Sequence, residues 1–353
     1  MAENRHEISD LYQMQSLSLD SKIRMTDQRI QSFIDEYGED RVYVSVSGKD
    51  SSVLLHRVRE RHPNVLGVFI NTGLEYTSVR QCALSKPNVI EVRPKMNFKE
   101  TITKCGYPII GKEVAQCIKE ARIGLKNNDG TYQYRIDKLN GTHKDKNGNL
   151  SQYNMPKWKF LLDAPFMISD ECCPITKKHP AIDFEKENDM HPIMGTMAWE
   201  SRNRLTNWLE KGCNVFDDKR PMSRPISFWT ENDILTYIHT YKVEIPSIYG
   251  DVVPKNDGID GQMNLYDLME DYTDCEFDTT GAKRTGCTYC LFGITQDLER
   301  FLRFKKEEPK IYDYVMGGGE FDKDGMWKPN DKGMGFRFVI DWLNENGGLG
   351  IKY

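Results

Sequence analysis

Apolar residues recur at every third or fourth position over residues 17–37, with charged residues between them. This spacing predicts a leading amphipathic helix. A β-branched and aromatic run over residues 41–46 predicts a strand, which a Ser47-Gly48 turn ends. Helical apolar spacing returns over residues 51–60, so the chain is predicted to run from strand through a loop into a helix.

The alternation continues downstream. Residues 65–70 and 88–92 predict strands, and residues 75–84 between them predict a helix. Strands alternating with helices indicate an α/β fold with a doubly wound, mostly parallel, Rossmann-like sheet. Towards the end of the chain, residues 298–314 predict one or two helices. A last short helix over 336–343 is expected to end at Gly347-Gly348.

Two segments interrupt this pattern. Residues 127–155 are rich in Asn, Gly, Lys and Asp, which predicts an inserted hairpin or mobile loop. Its lysines, with Tyr132, Tyr134, Tyr153 and Trp158, suit contact with a nucleic acid, although such a composition also fits a solvated excursion. Residues 249–278 are acidic and poorly periodic, and we interpret them as a lid or a partner surface.

Composition limits the class of protein. The chain has 353 residues, 29% of them charged, and a formal charge of −5. Mild acidity argues against broad non-specific nucleic-acid binding but allows a local basic groove. No apolar run approaches the length of a membrane span, and the start lacks the features of a signal peptide, so we expect a cytoplasmic protein without a membrane partner. Its nine cysteines should be reduced or metal-bound there.

Four cysteines form a candidate metal site. Cys172 and Cys173 are adjacent, and Cys287 and Cys290 form a CxxC pair. Four thiolates can hold a tetrahedral zinc ion or a [4Fe–4S] cluster, and adjacent cysteines that project apart favour the cluster. The alternatives are that these are buried core thiols, or that Cys275 replaces one member of the adjacent pair.

A second candidate site lies where the first strand ends. Backbone N–H groups at the start of the following helix attract a phosphate. Lys49 would add a mobile cation, and Ser51 and Ser52 would add hydroxyl donors. Asp50 beside a phosphate suggests Mg²⁺ binding; in the alternative interpretation Asp50 is only the N-cap of an ordinary turn.

The loop Val44-Ser45-Val46-Ser47-Gly48-Lys49-Asp50-Ser51-Ser52 resembles the PP-loop of N-type ATP pyrophosphatases and of the phosphoadenosine phosphosulfate (PAPS) reductase family, with one glycine fewer than the family pattern SGGxDS. Asn71-Thr72-Gly73-Leu74-Glu75-Tyr76 resembles the second nucleotide loop of this family. Gly195 to Arg204 resembles its G-x-x-A-x-E-S-x-x-R element, and Arg224 to Asp233 its P-x-x-x-W-T-x-x-D segment, where Thr230 and Asp233 also suit a helix cap. The resemblance covers about residues 40–305.

The cysteines continue this resemblance. Cys172-Cys173-x-x-x-Lys177 and Arg284-Thr285-Gly286-Cys287-x-x-Cys290 are similar to the cluster site of assimilatory adenylylsulfate (APS) reductases, in which a lysine approaches the cluster. Those reductases use a nucleophilic cysteine near the C-terminus, whereas no cysteine follows Cys290 here.

The resemblance implies a set of site residues. Nucleotide binding falls to Ser45, Ser47, Gly48, Lys49, Asp50, Ser51, Ser52, Asn71, Thr72, Gly73, Glu75, Gly195 and Glu200. Catalytic roles fall to Lys49, Asp50, Lys177 and Arg204, and cluster ligation to Cys172, Cys173, Cys287 and Cys290. The implied cofactors are a [4Fe–4S] cluster and Mg²⁺ with ATP or another adenine nucleotide.

Three functions follow from these features. The first is an enzyme that cleaves ATP to an adenylate and pyrophosphate and so activates an acceptor, a small molecule or a nucleic acid, for sulfur transfer. The second is an APS or PAPS reductase that releases sulfite, and the third is a non-catalytic nucleotide-binding iron–sulfur sensor. A sulfur or electron donor protein and a homodimer are further expectations. We predict a helical extension over 1–38, a nucleotide-binding domain over 39–245 with an insertion at about 123–158, and a cluster-associated, mainly helical region over 246–353.

Overall fold

The chain forms two compact units, each assembled from separate stretches of sequence. A computed structural model describes residues 5–255 and 275–353. Of the described residues, the first unit comprises 5–71, 76–92, 181–255 and 275–285; the second comprises 72–75, 93–180 and 286–353. The sequence predicted three consecutive segments instead. The difference arises because the sheet of the first unit draws strands from both ends of a long excursion, and residues 93–180 fold with the C-terminal residues.

The described residues contain both helices and short strands. The α-helices are α1 (Ile8–Gln15), α2 (Leu19–Tyr37), α3 (Lys49–Arg59), α4 (Thr77–Ser85), α5 (Phe98–Cys105), α6 (Lys112–Asn127), α7 (Gln133–Asn140), α8 (His179–Asn188), α9 (Arg202–Lys211), α10 (Glu231–Tyr241), α11 (Arg300–Glu307), α12 (Pro309–Met316) and α13 (Phe336–Gly347). The strands are β1 (Val42–Val46), β2 (Leu66–Ile70), β3 (Val89–Val92), β4 (Ile109–Ile110), β5 (His191–Met194), β6 (Asn214–Val215), β7 (Met222–Ser223), β8 (Val252–Pro254), β9 (Phe277–Thr279), β10 (Leu291–Phe292), β11 (Glu320–Phe321) and β12 (Trp327–Lys328).

A six-stranded sheet forms the centre of the first unit, in the order β3-β2-β1-β5-β7-β6. Every pairing is parallel except that of β6 with β7. On β1, Val44 lies opposite Gly67 of β2 on one side and Ile193 of β5 on the other. The predicted α/β class with a mostly parallel, doubly wound sheet is therefore confirmed. The strand order reverses between β1 and β5, and such switch points are where parallel sheets bind ligands.

The amphipathic pattern at the start of the chain forms α2, close to its predicted bounds. Ser18 caps this helix by accepting a hydrogen bond from the Ser21 N–H at 3.4 Å. Its buried face joins the core of the first unit, with Ile30 and Phe33 almost fully covered. Burying this apolar stripe against the sheet, rather than intrinsic helix propensity, stabilises most of such a helix.

Residues 127–155 were predicted to be a hairpin or loop, and the structure differs in part. This segment contains α7, which buries Leu139 completely, and only a single bridge pairs Lys144 with Leu150. Its many Asn and Gly residues indicated turns, but tertiary packing around Leu139 stabilises a helix of two turns. The acidic segment predicted as a lid, residues 249–278, lies largely outside the described residues because these exclude 256–274.

The second unit has a separate apolar core rich in aromatic rings. Phe98, Tyr107, Phe301, Phe304 and Phe336 are buried there. β4 pairs in parallel with β10, and β11 with β12 form a small antiparallel pair. The predicted C-terminal helices are confirmed as α11, α12 and α13. Among the described residues, no helix combines the length and apolar character needed to cross a membrane.

Candidate functional site

The loop after β1 is closed by hydrogen bonds among its own residues. The Ser47 N–H donates to Ser51 Oγ at 2.7 Å, and that hydroxyl donates to the Gly48 carbonyl at 2.9 Å. Gly48 is the N-cap of α3, and Asp50 lies in the first helical turn. The alternative in which Asp50 caps the helix is therefore wrong. The first N–H groups of α3 have no carbonyl of a preceding turn to bind. That of Lys49 donates to the Tyr249 hydroxyl, so the donors that remain for an anion are those of Asp50 and Ser51.

Lys49 is held in place by two carboxylates. Its side chain is only 2% exposed, and Nζ lies 3.1 Å from Asp50 Oδ1 and 2.8 Å from Glu231 Oε1. Burial lowers the pKa of Lys49, but the two carboxylates outweigh that effect and raise the pKa above its ordinary value. The sequence predicted a mobile cation here. In the structure the ammonium is fixed in an ion-pair network to which Glu231, at the start of α10, contributes.

A tyrosine hydroxyl occupies the start of α3. Tyr249 is 2% exposed, and its OH accepts a hydrogen bond from the Lys49 N–H at 3.4 Å. The same OH lies 2.6 Å from Thr285 Oγ1. A Cβ atom on Gly48 would lie 2.5 Å from this hydroxyl, a distance that real Cβ atoms do not tolerate. Glycine is therefore required at 48 because Tyr249 approaches the backbone, not because of an unusual φ, which is −82°.

The end of β5 approaches the same loop from the other side. A Cβ atom on Gly195 would lie 3.0 Å from the Ser51 Cα and 3.1 Å from the Asp50 carbonyl oxygen. Ser45, one residue before the end of β1, pairs with Val68 of β2 and Met194 of β5. The absence of a side chain at 195 thus lets β5 and the start of α3 lie against each other at the point where the strand order reverses.

Arginines gather beside this loop within the first unit. Glu200 is 11% exposed and accepts hydrogen bonds from Arg204, from Arg284 Nη2 at 2.8 Å and from the Met197 N–H at 2.8 Å. Partial burial and the Arg284 charge lower the pKa of Arg204, and the charge of Asp50 opposes that shift. Arg284 also lies over the Trp199 ring, 5.6 Å from its centroid. The sequence assigned Glu200 to nucleotide binding, whereas in the structure it orients two cations.

The predicted second nucleotide loop is divided between the units. Asn71 directly follows β2 in the first unit, and its side-chain amide donates to Glu91 Oε1 at 2.7 Å. Thr72 to Glu75 belong to the second unit. There the Thr72 hydroxyl donates to the Glu75 carboxylate at 2.8 Å and accepts from the Leu74 N–H at 3.1 Å. Gly73 adopts a positive φ of 76°, which suits this tight turn.

The CxxC pair is bonded to this turn within the second unit. The Thr288 N–H donates to the Leu74 carbonyl at 2.7 Å, and the Tyr289 hydroxyl donates to the Gly73 carbonyl at 2.7 Å. At the end of the pair, the Phe292 N–H donates to Cys290 Sγ at 3.4 Å. The Thr288 hydroxyl is buried and has no hydrogen-bond partner among the described residues. This turn therefore contains one backbone N–H, that of Phe292, which already donates to a sulfur, and one hydroxyl, that of Thr288, which has no partner among the described residues.

Cys172 and Cys173 belong to the second unit and follow a stretch of chain that is bonded to the segment around β4. The Tyr107 N–H donates to the Met167 carbonyl and the Ser169 N–H donates to the Tyr107 carbonyl, just before the adjacent cysteines. On the same segment Ile109 pairs with Leu291, just after Cys290. Residues 105–110 therefore align both pairs of cysteines. The helical turn that carries the adjacent cysteines continues as a π-helix over Pro174–Lys178, a form frequent at functional sites.

The four thiols interact electrostatically. Burial, followed by the charges of Cys287 and Cys173, raises the pKa of Cys172 to about 12. Burial and Cys290 raise the pKa of Cys287, and the positive charge of Lys177 opposes that rise. The role that the sequence assigned to Lys177 stays a prediction. Within residues 5–255 and 275–353, however, no three His, Cys, Asp or Glu side chains form a group suited to a metal ion. Cluster ligation stays a prediction.

The remaining cysteines do not join this group in the second unit. Cys275 is buried within the first unit and packs in its apolar core, and Cys82 and Cys213 also belong to that unit. Cys117 is a buried member of the second core, and Cys105 ends α5. Cys117, Cys213 and Cys275 have the buried surroundings of core thiols, whereas Cys105 is partly exposed and Cys82 accepts a hydrogen bond from Lys86 Nζ at 3.2 Å.

Three comparisons with known proteins place limits on the assignment. No family model matches the chain, and a search of curated proteins finds no match. Among solved structures, the chain is similar to a phosphoadenylyl-sulfate (PAPS) reductase from Candida auris in complex with phosphate, with 12% identity and a TM-score of 0.35. The match covers 74% of this chain and 100% of that one. The class of protein stated here, an α/β protein with a doubly wound, mostly parallel sheet, rests on the strand order itself.

Sequence reasoning missed Tyr249 and Glu231 as members of the site. Tyr249 lies 200 positions from Lys49, and a lone tyrosine carries no local signal of this contact. Glu231 was interpreted only as part of a helix start. Arg284 and Thr285 were grouped with the cluster motif, whereas the structure places both in the first unit with the loop after β1.

Proposed function

We propose that this chain is a PP-loop enzyme that cleaves ATP to an adenylate and pyrophosphate and thereby activates an acceptor for sulfur transfer. One observation carries the proposal: at the switch point of the sheet, the glycine-lined start of α3 is bordered by Lys49, Arg204 and Arg284. In the structure Asp50, Glu231 and Glu200 balance these three charges, so a polyphosphate would replace carboxylates as their partner. The donor N–H groups at the helix start favour an anion over a neutral ligand.

The residues of the site have distinct roles in this proposal. A nucleophilic oxygen of the acceptor attacks the α-phosphorus, the bond to the bridging oxygen breaks, and pyrophosphate leaves with the electron pair. Arg204 and Arg284, held by Glu200, stabilise the charge that develops on the leaving group. The N–H groups of α3 orient the phosphates. Asp50 would hold Mg²⁺, which supplies further neutralisation of the phosphate charge.

Sulfur transfer then replaces the adenylate. A hydrosulfide-level sulfur from a donor protein attacks the activated carbon of the acceptor, and AMP leaves with the electron pair of the broken C–O bond. No oxidant or reductant is consumed in this exchange. Lys49 remains paired with Asp50 and Glu231 in the structure, so nucleotide binding should begin with a rearrangement of this ion pair.

A [4Fe–4S] cluster bound by the second unit is part of the same proposal. Cys172, Cys173, Cys287 and Cys290 would hold it, and it would supply sulfur binding or electron transfer. The fit rests on the Phe292 N–H that donates to Cys290 and on the Thr288 hydroxyl without a partner, because cluster sulfurs accept such hydrogen bonds. Lys177 would offset part of the negative charge of the ligands.

The occupied helix start also favours a second candidate, a nucleotide-binding sensor without turnover. The Tyr249 hydroxyl already uses the Lys49 N–H, and the Lys49 ammonium is already paired. Such a protein would bind ATP without releasing pyrophosphate. An APS or PAPS reductase would differ from both by releasing sulfite.

One anaerobic assay separates these functions. The iron-loaded protein is supplied with ATP, APS and PAPS in parallel, and pyrophosphate and sulfite are followed together. Pyrophosphate from ATP supports the adenylating enzyme. Sulfite from APS or PAPS contradicts it in favour of a reductase, and ATP binding without either product supports the sensor.

Two neighbouring arginines of α9 provide a matched pair for the same assay. Arg204→Ala removes a cation that lies beside the loop, whereas Arg202→Ala removes an exposed cation for which the described residues show no partner. Losing one charge-assisted contact of about 1.5–3 kcal/mol should lower kcat/KM for ATP by roughly 10- to 150-fold in Arg204→Ala. Equal activity of the two variants contradicts the assigned role of Arg204.

A further inference from the structure

We propose that residues 123–159, the predicted insertion at about 123–158 extended by Lys159, form a binding surface for single-stranded nucleic acid. The segment contains seven Lys and Arg residues and three Asp residues, so its formal charge is +4 in a chain whose total is −5. This local reversal of charge is typical of a surface that contacts phosphates. The inference goes beyond the proposed function and does not depend on it, because binding is measured without ATP.

Several of these cations have no carboxylate partner. Arg135 pairs with Glu120 and Lys138 with Glu113. Lys144, Lys146, Lys157 and Lys159 are all exposed and form no ion pair within the described part of the chain. Asp145 lies between two of them, but its carboxylate accepts from the N–H groups of Asn147 at 2.8 Å and Asn149 at 3.0 Å. The lysines therefore present their charge to solvent.

Aromatic rings accompany the cations. Tyr134 is 44% exposed and Tyr153 is 49% exposed. The Arg135 guanidinium lies 4.8 Å from the centroid of the Tyr134 ring, and the Lys138 ammonium lies 5.7 Å from that of Tyr153. The Lys157 ammonium lies 4.9 Å from the centroid of the Trp158 ring. Arg135 and Lys138 are themselves paired with carboxylates, so their contacts hold the two tyrosine rings in place and do not offer free charge. Exposed rings beside unpaired lysines form the combination on which unpaired bases stack while their phosphates are neutralised.

The local fold holds these groups in one place. Lys144, Lys146 and Tyr153 line a common groove, which the Lys144–Leu150 bridge shapes. The Asn154 side chain donates to the His143 carbonyl at 3.0 Å, and the Met155 N–H donates to the Lys138 carbonyl at 2.9 Å. His143 in turn lies 6.5 Å from Tyr134, measured between ring centroids. These bonds hold the turn closed by the Lys144–Leu150 bridge against α7. The surface is therefore formed before any ligand binds.

Stacking separates the single strand from other anionic partners. A duplex offers phosphates but keeps its bases stacked on each other, and an acidic peptide offers charge without flat rings. An anionic membrane favours larger aliphatic residues, and the described residues of the segment expose Ile123 and Leu125 on α6 and Leu150 in the turn, so vesicles are the competing ligand to test. The exposed tyrosines therefore favour a strand with unpaired bases.

Fluorescence anisotropy of a labelled 20-nucleotide mixed-sequence oligonucleotide, as DNA and as RNA, tests the proposal with the full chain. Lys144→Gln with Lys146→Gln should weaken binding, and the slope of log affinity against log salt should become shallower by about 1.4, since each lost phosphate contact contributes about 0.7. Lys186→Gln with Lys332→Gln makes the same charge change at exposed lysines outside the segment and should leave the affinity unchanged. Equal loss in both pairs would mean only a non-specific charge effect and would overturn the proposal.

Stacking is tested at Tyr153. Tyr153→Ala should weaken binding roughly fivefold or more, whereas Tyr153→Phe, which keeps the ring, should retain the affinity. Unchanged thermal unfolding of these variants shows that the fold is intact. Duplex of the same sequence, or anionic phosphatidylserine vesicles, bound as tightly as the single strand would overturn the assignment of the ligand. No binding of either oligonucleotide at 50 mM salt would overturn it as well.

Discussion

The contact between Gly48 and Tyr249 leads to a prediction that can be tested without a ligand. Gly48→Ala places a methyl group 2.5 Å from the Tyr249 hydroxyl and 3.2 Å from Thr285 Oγ1. The backbone at 48 has a φ of −82° and a ψ of −164°, which any residue adopts. The cost of the substitution therefore comes from the steric overlap and not from backbone strain. Because the Tyr249 ring is buried, it has little room to move away.

The expected changes in the free energy of unfolding follow from three contacts. Overpacking of a buried site costs about 1–3 kcal/mol, which is the expected loss in Gly48→Ala. Tyr249→Phe loses hydrogen bonds to Thr285 and to the Lys49 N–H, each worth about 0.5–1.5 kcal/mol. In the double variant the nearest ring atom is Tyr249 Cζ at 3.6 Å, an ordinary contact. The double variant should therefore be more stable than the sum of the single losses predicts, by about 1–2 kcal/mol.

Thermal unfolding of the wild type, both single variants and the double variant measures this coupling. For a unit of this size, 1 kcal/mol corresponds to about 2–4 °C in Tm. Gly195→Ala serves as a comparison, because its methyl group would meet the backbone of Asp50 and Ser51, which Tyr249→Phe does not relieve. Strictly additive Tm changes for Gly48→Ala and Tyr249→Phe would refute the position that the structure gives to the Tyr249 hydroxyl.

Three further predictions concern the cysteines, the loop and the core. Cys287→Ser should abolish the brown absorbance and iron content of anaerobically purified protein, whereas Cys213→Ser should preserve both; a coloured Cys287 variant removes that residue from the ligand set. Asp50→Ala should end Mg²⁺-dependent pyrophosphate release and leave the absorbance spectrum unchanged, and retained release would show that Asp50 is dispensable. Lys22→Met should cost about 3–5 kcal/mol in urea unfolding, because Asp233 loses its buried partner at 2.7 Å; combining it with Asp233→Asn should recover part of the loss.

Local patterns in the sequence predicted much of the fold. The α2 helix, β1, β2 and β3 follow from apolar spacing that needs no distant partner for its recognition. The cap of α10 is also a local signal: Thr230 accepts from the Asp233 N–H at 3.2 Å, and Asp233 accepts from the Thr230 N–H at 2.6 Å, as their spacing predicted. Strand, loop and helix in this order place the residues after Ser47 at the end of a parallel strand.

Other features of the candidate site depend on distant contacts. The sequence contains the four cysteines, but it does not show that the segment around β4 aligns residue 168 with residue 107 and residue 291 with residue 109. Nor does it show that α7 forms in a segment rich in turn residues, since that helix depends on the burial of Leu139 and on the pairing of Arg135 with Glu120 of α6. The division of the chain into two units is equally invisible locally, because each unit combines stretches separated by about a hundred residues.

Local sequence patterns specify which reactive groups the chain contains and which short elements bear them: a loop after β1 with the composition of a phosphate-binding turn, two pairs of cysteines, and a basic, aromatic insertion. Long-range packing pairs the Lys49 ammonium with Glu231, brings a tyrosine hydroxyl from 200 positions away to the start of α3, and lets Glu200 orient two arginines. The two kinds of feature depend on interactions of different range. Helix and strand patterns and caps act over a few residues, whereas ion pairs and close approaches are set by packing between segments that the linear order keeps apart.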